Sequence, residues 1–513
     1  MNYYRPLWTC GRYNEGKKVA IMYNLLEGMS YFFEDESAYI IGAILQAGKS
    51  NAFSPETINE LGYSEEEICS FLDELVSLGL LTNNNETISK ESRCKIRKSH
   101  SASVQSKRSE DDDESAESLY SKACGEDYIA SVMFELTYRC SEKCIHCYNP
   151  GATRNDSETS NRGKREELSL SDYKRIIDEL YQIGTYRVCL SGGDPFSNKH
   201  VWDIIDYLYQ KDFAIDIYTN GQGIVNSVER LAAYYPHILG ISLYSNIPTV
   251  HDSITRVKGS HSKTTSVIRQ CVDLGMPVKL KCCIMLNNVQ SYYTVKEMAK
   301  ELNLPVEFEL NITDSIDGDI CASRKLRLPQ SIMEIVFRDK DLSYYTDEKG
   351  LQIMYKVNKE DIICSAGINA FCFTPEGFLE PCCSFPMFMG NVKDCSIKEI
   401  LQNSSIYKWW KERKVKDLEE CYTHDYCICC SRCVGNNYIA NGNPLRPSLN
   451  NCDLAKYRFE LSKRMLEGDD PLHGKTVQQC LNELKIEMPE LSRMETINYR
   501  ERMDKRNVQN YSL

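Results

Sequence analysis

Tyr138-Arg139-Cys140-Ser141-Glu142-Lys143-Cys144-Ile145-His146-Cys147-Tyr148 sets three cysteines in a C-x3-C-x2-C run, followed at once by an aromatic residue. Three thiolates on one tight loop suit three irons of a [4Fe–4S] cube and leave the fourth iron without a protein ligand. Such an open iron can bind and reduce a small molecule, which a closed four-cysteine site does not offer. A zinc knuckle is the competing use, but it favours C-x2-C pairs and needs a fourth ligand. His146 is the near candidate, and its adjacency to Cys147 makes joint ligation awkward.

The run directly follows a strand-like stretch, and the pattern repeats downstream. Strands read at 132–138, 186–191, 213–219, 237–243, 278–285 and 305–310, alternating with helical stretches near 169–182, 199–210, 226–234, 262–274 and 290–302. Six β/α units predict an α/β fold with a parallel barrel or partial barrel. Its site belongs at the C-terminal strand ends, where the cysteine loop falls. The loop 150–165 is long and polar, as a flap on the substrate side would be.

The cysteine spacing resembles the radical S-adenosylmethionine (SAM) enzymes. In that family the open iron chelates SAM, and an electron from the cluster cleaves it to a 5′-deoxyadenosyl radical. The resemblance implies Cys140, Cys144 and Cys147 as cluster ligands, with Tyr148 beside them. Leu190-Ser191-Gly192-Gly193-Asp194-Pro195 resembles the family's Gly-Gly-Glu-Pro segment, which contacts the SAM amino group, with Asp194 where glutamate is common. Two glycines would let a ligand approach the backbone there. Tyr218-Thr219-Asn220-Gly221 is again a family-like turn on the SAM side. The resemblance gives Ser242 a ribose hydroxyl and Arg256 the SAM carboxylate; a half-buried serine and a surface arginine are the plain alternatives. Asn287 is a further polar candidate.

The chain has 513 residues, so two or three domains are expected. Its net charge of −12 argues against a nucleic-acid partner. No run of about 18 apolar residues is present, and the first residues lack a signal-peptide pattern, so a cytoplasmic protein without membrane spans is expected. Of 24 cysteines, eleven crowd into residues 364–452, which reads as metal ligation rather than disulfides. Cys364-x12-Gly377-x4-Cys382 comes first, with Cys372 between and a hairpin turn at Glu376-Gly377. Cys421, His424, Cys427, Cys429, Cys430 and Cys433 follow, then Cys452. This field resembles the SPASM extension of radical SAM maturases, which carries two auxiliary [4Fe–4S] clusters, three clusters in all. It departs from the family spacing C-x2-C-x5-C-x3-C: from Cys421, the second position is His424, the third Cys430, and Cys433 comes one residue early. Cys427 and Cys429 are spare thiols that could substitute, and structural zinc is the competing reading of the field.

Residues 1–94 read as a winged-helix-like module, with strand runs at Lys18–Tyr23 and Met29–Phe33. Helices are expected over Ser37–Gln46, Pro55–Leu61 and Glu65–Leu78, the last with a capping box of Ser64 and Glu67. It resembles the precursor-peptide recognition element of enzymes that mature ribosomally made peptides, where a leader peptide adds a strand to the sheet edge. A DNA-binding winged helix is the alternative, and the acidic run from Glu65 to Glu74 is wrong for a major groove. Residues 95–127 read as a flexible linker letting the module dock and release. Residues 128–328 form the barrel, 329–466 the SPASM region and 467–513 a helical tail.

Together these resemblances imply a peptide maturase served by an external one-electron reductant such as a flavodoxin or ferredoxin. The implied product is a crosslink, thioether first and carbon–carbon or carbon–oxygen second. Peptide epimerisation and formylglycine-type maturation are the enzymatic rivals. A zinc-stabilised winged-helix regulator is the non-enzyme rival.

Overall fold

The computed structural model describes residues 2–54, 64–84, 115–125, 128–149, 166–316, 321–347 and 358–488, with Ser89, Ser92 and Ile96 besides. The expected helix 55–61, the loop 150–165, most of the linker and the tail beyond 488 lie outside the described residues.

The N-terminal module opens with β1 (Tyr3–Tyr4), β2 (Thr9–Asn14), β3 (Val19–Asn24), β4 (Met29–Glu34) and β5 (Ala52–Phe53). β2, β3 and β4 form an antiparallel sheet in that order, while β1 pairs with β5. Helix Asp35–Ala47 buries Ile40, Ile41 and Ile44 against Ile68, Leu72 and Leu75 of helix Glu65–Ser77. The second helix starts with the expected capping box of Ser64 and Glu67. β2 was not expected, because Thr-Cys-Gly-Arg-Tyr-Asn has no apolar alternation. Its Arg12 is buried instead under the barrel.

The six strand patterns pair parallel and in sequence order: β6 (Ser131–Glu135), β7 (Arg187–Ser191), β8 (Ala214–Thr219), β9 (Ile238–Ser242), β10 (Val278–Cys283) and β11 (Val306–Glu309). Along β7, Val188 and Leu190 join the core under the outer helices, so Arg187, Cys189 and Ser191 face inward. β12 (Ala370–Phe373) then adds parallel to β6, and β13 (Phe378–Glu380) and β14 (Gly390–Asn391) continue antiparallel. The expected hairpin turn is present, with Gly377 at φ 90°. The C-terminal cysteine field thus hangs from the barrel's own sheet. The long helix near the end runs Leu449–Leu466.

The module sits under the barrel, against the loops that precede β7, β8 and β9. Arg5 pairs with Asp212, and Lys49 reaches the same carboxylate at 3.3 Å. Arg12 lies between the rings of Tyr181 and Phe213 and donates to the carbonyl of Thr185 at 3.0 Å. Burial lowers the Lys49 pKa to about 8 against the pull of Asp212. A buried ion pair of this kind costs several kcal/mol to break from one side, and it joins the module to the loop before β8. The end of the expected linker is also ordered: Ala116–Cys124 is a helix whose Tyr120 packs on Tyr128 and Tyr186. Among the described residues no helix is long and apolar enough to cross a membrane.

Candidate functional site

The cysteine loop leaves the C-terminal end of β6 and is pinned from three sides. Lys143 and Ile145 donate their backbone N–H groups to the carbonyls of Thr255 and Ile254, at 2.9 and 3.0 Å. Gly193 donates to Thr137 at 2.7 Å, and Asp194 to Arg139 at 3.0 Å. Asn149 closes the far end by donating to the Gly192 carbonyl at 2.7 Å. A Cβ on Gly193 would lie 2.5 Å from the Arg139 oxygen and 2.6 Å from the Tyr138 oxygen. The glycines therefore admit the cysteine loop itself. The face a side chain would occupy is filled by protein, not left for a ligand.

Asp194 is buried and uses both oxygens. One accepts from the Phe196 N–H at 3.0 Å; the other accepts from the Thr219 hydroxyl at 2.6 Å and the Asn220 N–H at 3.0 Å. It thereby ties the end of β7 to the end of β8. Burial raises its pKa while these hydrogen bonds pull it back. Asn220, so held, aims its amide at the Cys140 sulfur from 3.3 Å. The Glu142 N–H reaches the same sulfur at 3.4 Å. Backbone and amide donors on a sulfur suit a metal-bound thiolate.

Burial pushes the Cys140 thiol up to about 12, with the charges of Asp194, Cys147 and Glu142 adding to it. Cys144 is raised by burial, then by Glu142, Cys147 and Cys140. The three thiols thus feel one another. Among the described residues no three His, Cys, Asp or Glu side chains converge tightly enough for a single metal ion. Bound iron would reverse the burden on the thiols, since a coordinating thiol is deprotonated outright. Buried polar atoms without partners include Glu142 Oε1, His146 Nδ1 and Asn149 Oδ1 on the loop and its flank, His251 Nε2 against Tyr244, and Asn287 Oδ1 after β10. Buried polar atoms are rarely left unpaired, so a polar ligand fits here.

The other expected residues fall unevenly. Ser242 lies inward at the end of β9, close enough to Tyr244 to offset part of the burial that raises that phenol. Arg256 ends helix Pro248–Thr255 in a left-handed conformation, φ 57°, with its side chain exposed. The loop's backbone contacts run to Thr255 and Ile254 instead. Tyr148 lies beside Cys383, the residue after Cys382, and burial followed by the Cys383 charge raises its phenol. Sequence reasoning missed two residues. Tyr244 lies near Cys144, and its ring meets His146 at 4.6 Å and stacks on His251 at 5.6 Å. Its phase, two residues beyond Ser242, was the available signal. Cys383 faces the barrel interior near Glu135, Cys189 and Cys372, its pKa raised to about 11 by burial and then by Glu135.

The C-terminal thiols separate into two groups. Cys382, raised by burial, feels its neighbour Cys383 first and then Cys433 and Cys364, and Cys433 feels Cys364. Cys421 feels Cys430, Cys427 and Cys452, while Cys452 feels Cys430 and Cys427. A cavity of about 930 Å³ opens beside the second group, lined also by Arg327, Arg432 and Asn436. Its unpartnered buried atoms are Tyr422 Oη and Asn436 Oδ1. Cys372 is fully buried on β12 among Glu135, Cys383, Glu380 and Cys382, apart from Cys364 and Cys433. Cys429 turns to Arg458, and His424 stacks on Tyr426 at 4.9 Å.

Residues 134–302 match the Radical SAM superfamily. The chain is 27% identical over 313 residues to the antilisterial bacteriocin subtilosin biosynthesis protein AlbA of Bacillus subtilis, covering 59% of this chain and 66%, just under two thirds, of that one. It is 24% identical over 341 residues to the AdoMet-dependent heme synthase of Methanosarcina barkeri, covering 61% of this chain and 93% of that one. The crystal structure of Streptococcus suis SuiB bound to the precursor peptide SuiA superposes with a TM-score of 0.52 at 13% identity, over 87% of this chain and 98% of that one, a likeness of fold. The cysteine loop and the strand ends that cradle it fall inside residues 134–302, so this stretch carries the Radical SAM match, and the curated relatives it resembles include peptide-modifying maturases.

Proposed function

We propose that the chain matures a ribosomally made precursor peptide by installing an intramolecular crosslink, a thioether before a carbon–carbon or carbon–oxygen bond. When bound, SAM and its cluster supply a primary-carbon radical at the top of the barrel. Cys140, Cys144 and Cys147 would hold that cluster, Asn220 and Tyr244 would steady its thiolates, and Asn287, Ser242 and Arg256 are the SAM-side candidates. The observation that carries the thioether reading is the unequal division of the C-terminal thiols. Cys421, Cys427, Cys430 and Cys452 suffice to close one [4Fe–4S] cube. Cys364, Cys382 and Cys433 would hold a second with one position left for a substrate thiolate, Cys383 beside Cys382 being turned to Tyr148 and Glu135. The N-terminal module would hold the leader, raising the effective concentration of the core peptide. Since the module sits under the barrel, the core peptide must travel the length of a strand, about 20 Å, to reach the cysteine loop.

The experiment is co-expression with the short open reading frame beside the gene, followed by mass spectrometry of the peptide. A loss of two mass units per site, with the cysteine blocked to alkylation, is expected. An unchanged mass with one deuterium gained in D2O would replace the crosslink by epimerisation. That second reading is favoured by Cys383, a protonated interior thiol beside Tyr148, placed to give a hydrogen atom to a substrate carbon. A colourless preparation holding zinc and no iron would remove both readings, since three clusters imply about twelve irons.

A further inference from the structure

The last parallel strand, β11, carries two carboxylates, Glu307 and Glu309. Val278, Leu280 and Cys282 of β10 and Phe308 of β11 join the core under the helices, so Lys279, Lys281, Cys283, Glu307 and Glu309 face the barrel interior. Glu307 is spent on Lys279 and Lys281. Glu309 is half-buried and, among the described residues, has no ion pair. Its Oε1 accepts the Asn311 N–H at 2.7 Å and the Tyr344 hydroxyl, which leaves Oε2 without a hydrogen-bond donor among the described residues.

Contacts on two sides place this carboxylate. Cys283 stands in register with Glu309, and both Cys283 and Cys144 of the cysteine loop pack on the cluster of Ile145, Tyr244 and Met285. Burial, then the Glu309 charge, pushes the Cys283 thiol up to about 12. On the other side, Asn311 donates its amide to Asn451 Oδ1 at 3.1 Å, and Asn451 donates to the Cys433 carbonyl at 3.0 Å. Burial first, then Cys364 and Glu309, raise the Cys433 thiol. Glu309 thus adjoins both the wall beside the cysteine loop and the first group of C-terminal thiols, where a core peptide would have to sit.

We propose that Glu309 is a catalytic residue for the crosslink, its open oxygen accepting the proton of the substrate cysteine thiol. This rests on the peptide-maturase reading and assigns the residue that prepares its nucleophile. The S–H bond breaks, its electron pair stays on sulfur and the proton passes to Oε2, so the step needs no oxidant or reductant. A free carboxylate is about four pKa units less basic than a free thiolate, so the transfer is completed only where the thiolate gains a metal, which deprotonates a coordinating thiol outright. Asn311 and Tyr344 hold the carboxylate by one oxygen and leave the other within a substrate's reach, as a general base requires.

The test is co-expression of Glu309→Gln and Glu309→Ala with the neighbouring reading frame, beside the parent. Glu309→Gln keeps an oxygen for Asn311 and Tyr344 and removes the charge. Both reconstituted variants should hold the parent's iron and keep the amide protection of β10 and β11. Crosslinked peptide should fall by about a hundredfold, with the substrate cysteine still open to alkylation. Formate added to the Glu309→Ala protein should recover part of that loss, because a small carboxylate can replace a missing base and cannot replace a missing strut. Crosslinking at the parent's level in Glu309→Gln, loss of iron from either variant, or no recovery with formate would overturn the assignment and leave the maturase reading standing. A parent that leaves the peptide mass unchanged would remove that reading and the assignment with it.

Discussion

The cysteine loop at the top of the barrel and the segment 421–433 carry the same kind of ligand and are held in opposite ways. The loop is fixed by backbone hydrogen bonds to helix Pro248–Thr255 and to the β7 turn, all of them made by protein alone. The segment 421–433 has one short 3-10 turn, Asp425–Cys429, with no buried residue in it. Tyr422 and Arg432 take positive φ, 62° and 42°, where non-glycine residues are strained, and a cavity opens beside them. The first site is a preformed socket. On the proposed reading the second would depend on its own ligation, and metal binding there would be folding free energy.

Metal removal therefore gives the largest contrast. In chelator-stripped protein, amides of 421–433 should exchange with almost no protection, while β6 to β11 keep theirs, as hydrogen exchange with mass spectrometry would read. Equal protection in both regions would end the comparison. Gly193→Ala attacks the socket instead. The new methyl meets two carbonyl oxygens of the loop backbone, which no side-chain rotation relieves. Bound iron should fall by about a third, one cluster of three, and SAM cleavage by more than tenfold. Iron at the C-terminal thiols should remain.

Asp194→Ala comes next. It strands the Thr219 hydroxyl and the N–H groups of Asn220 and Phe196, all buried or half-buried. A loss of about 3 kcal/mol in denaturant unfolding of the barrel is expected. Thr219→Val removes one of those bonds and should cost about 1 kcal/mol. If the two variants cost the same, Asp194 is not the tie between β7 and β8.

What the chain disclosed in advance follows this division. Ligand spacing within one loop is local chemistry, so Cys140, Cys144 and Cys147 stood out at once. The turn at Glu376-Gly377 was legible because a left-handed position calls for glycine. The β/α alternation was legible because each strand buries one face under helices. The Asp194 tie was not, since it joins the ends of two strands whose turns are read separately. β2 was hidden because its burial comes from barrel loops some 170 or more residues away, as in the Arg12 bond to Thr185. Cys427 was named in the sequence as a thiol that could substitute, but spacing alone could not say which neighbours it joins.

Cys427 and Cys429 supply the finest cut. Both lie in the same short turn, two residues apart, equally half-exposed and equally spare in the sequence. Cys427 adds to the charge felt by Cys421, Cys430 and Cys452, which places it among them. Cys429 is governed by burial, then by Arg458, which also donates to its carbonyl at 3.4 Å, and feels Cys430 alone of the group. Cys427→Ser should lower bound iron and release the protection of 421–433, because a cube closed by four thiolates becomes open on one iron. Cys429→Ser should leave iron content and protection as they were and shift stability within about 0.5 kcal/mol. The reverse result would mean that the chain threads the second group by Cys429, with Cys427 the thiol that faces outward.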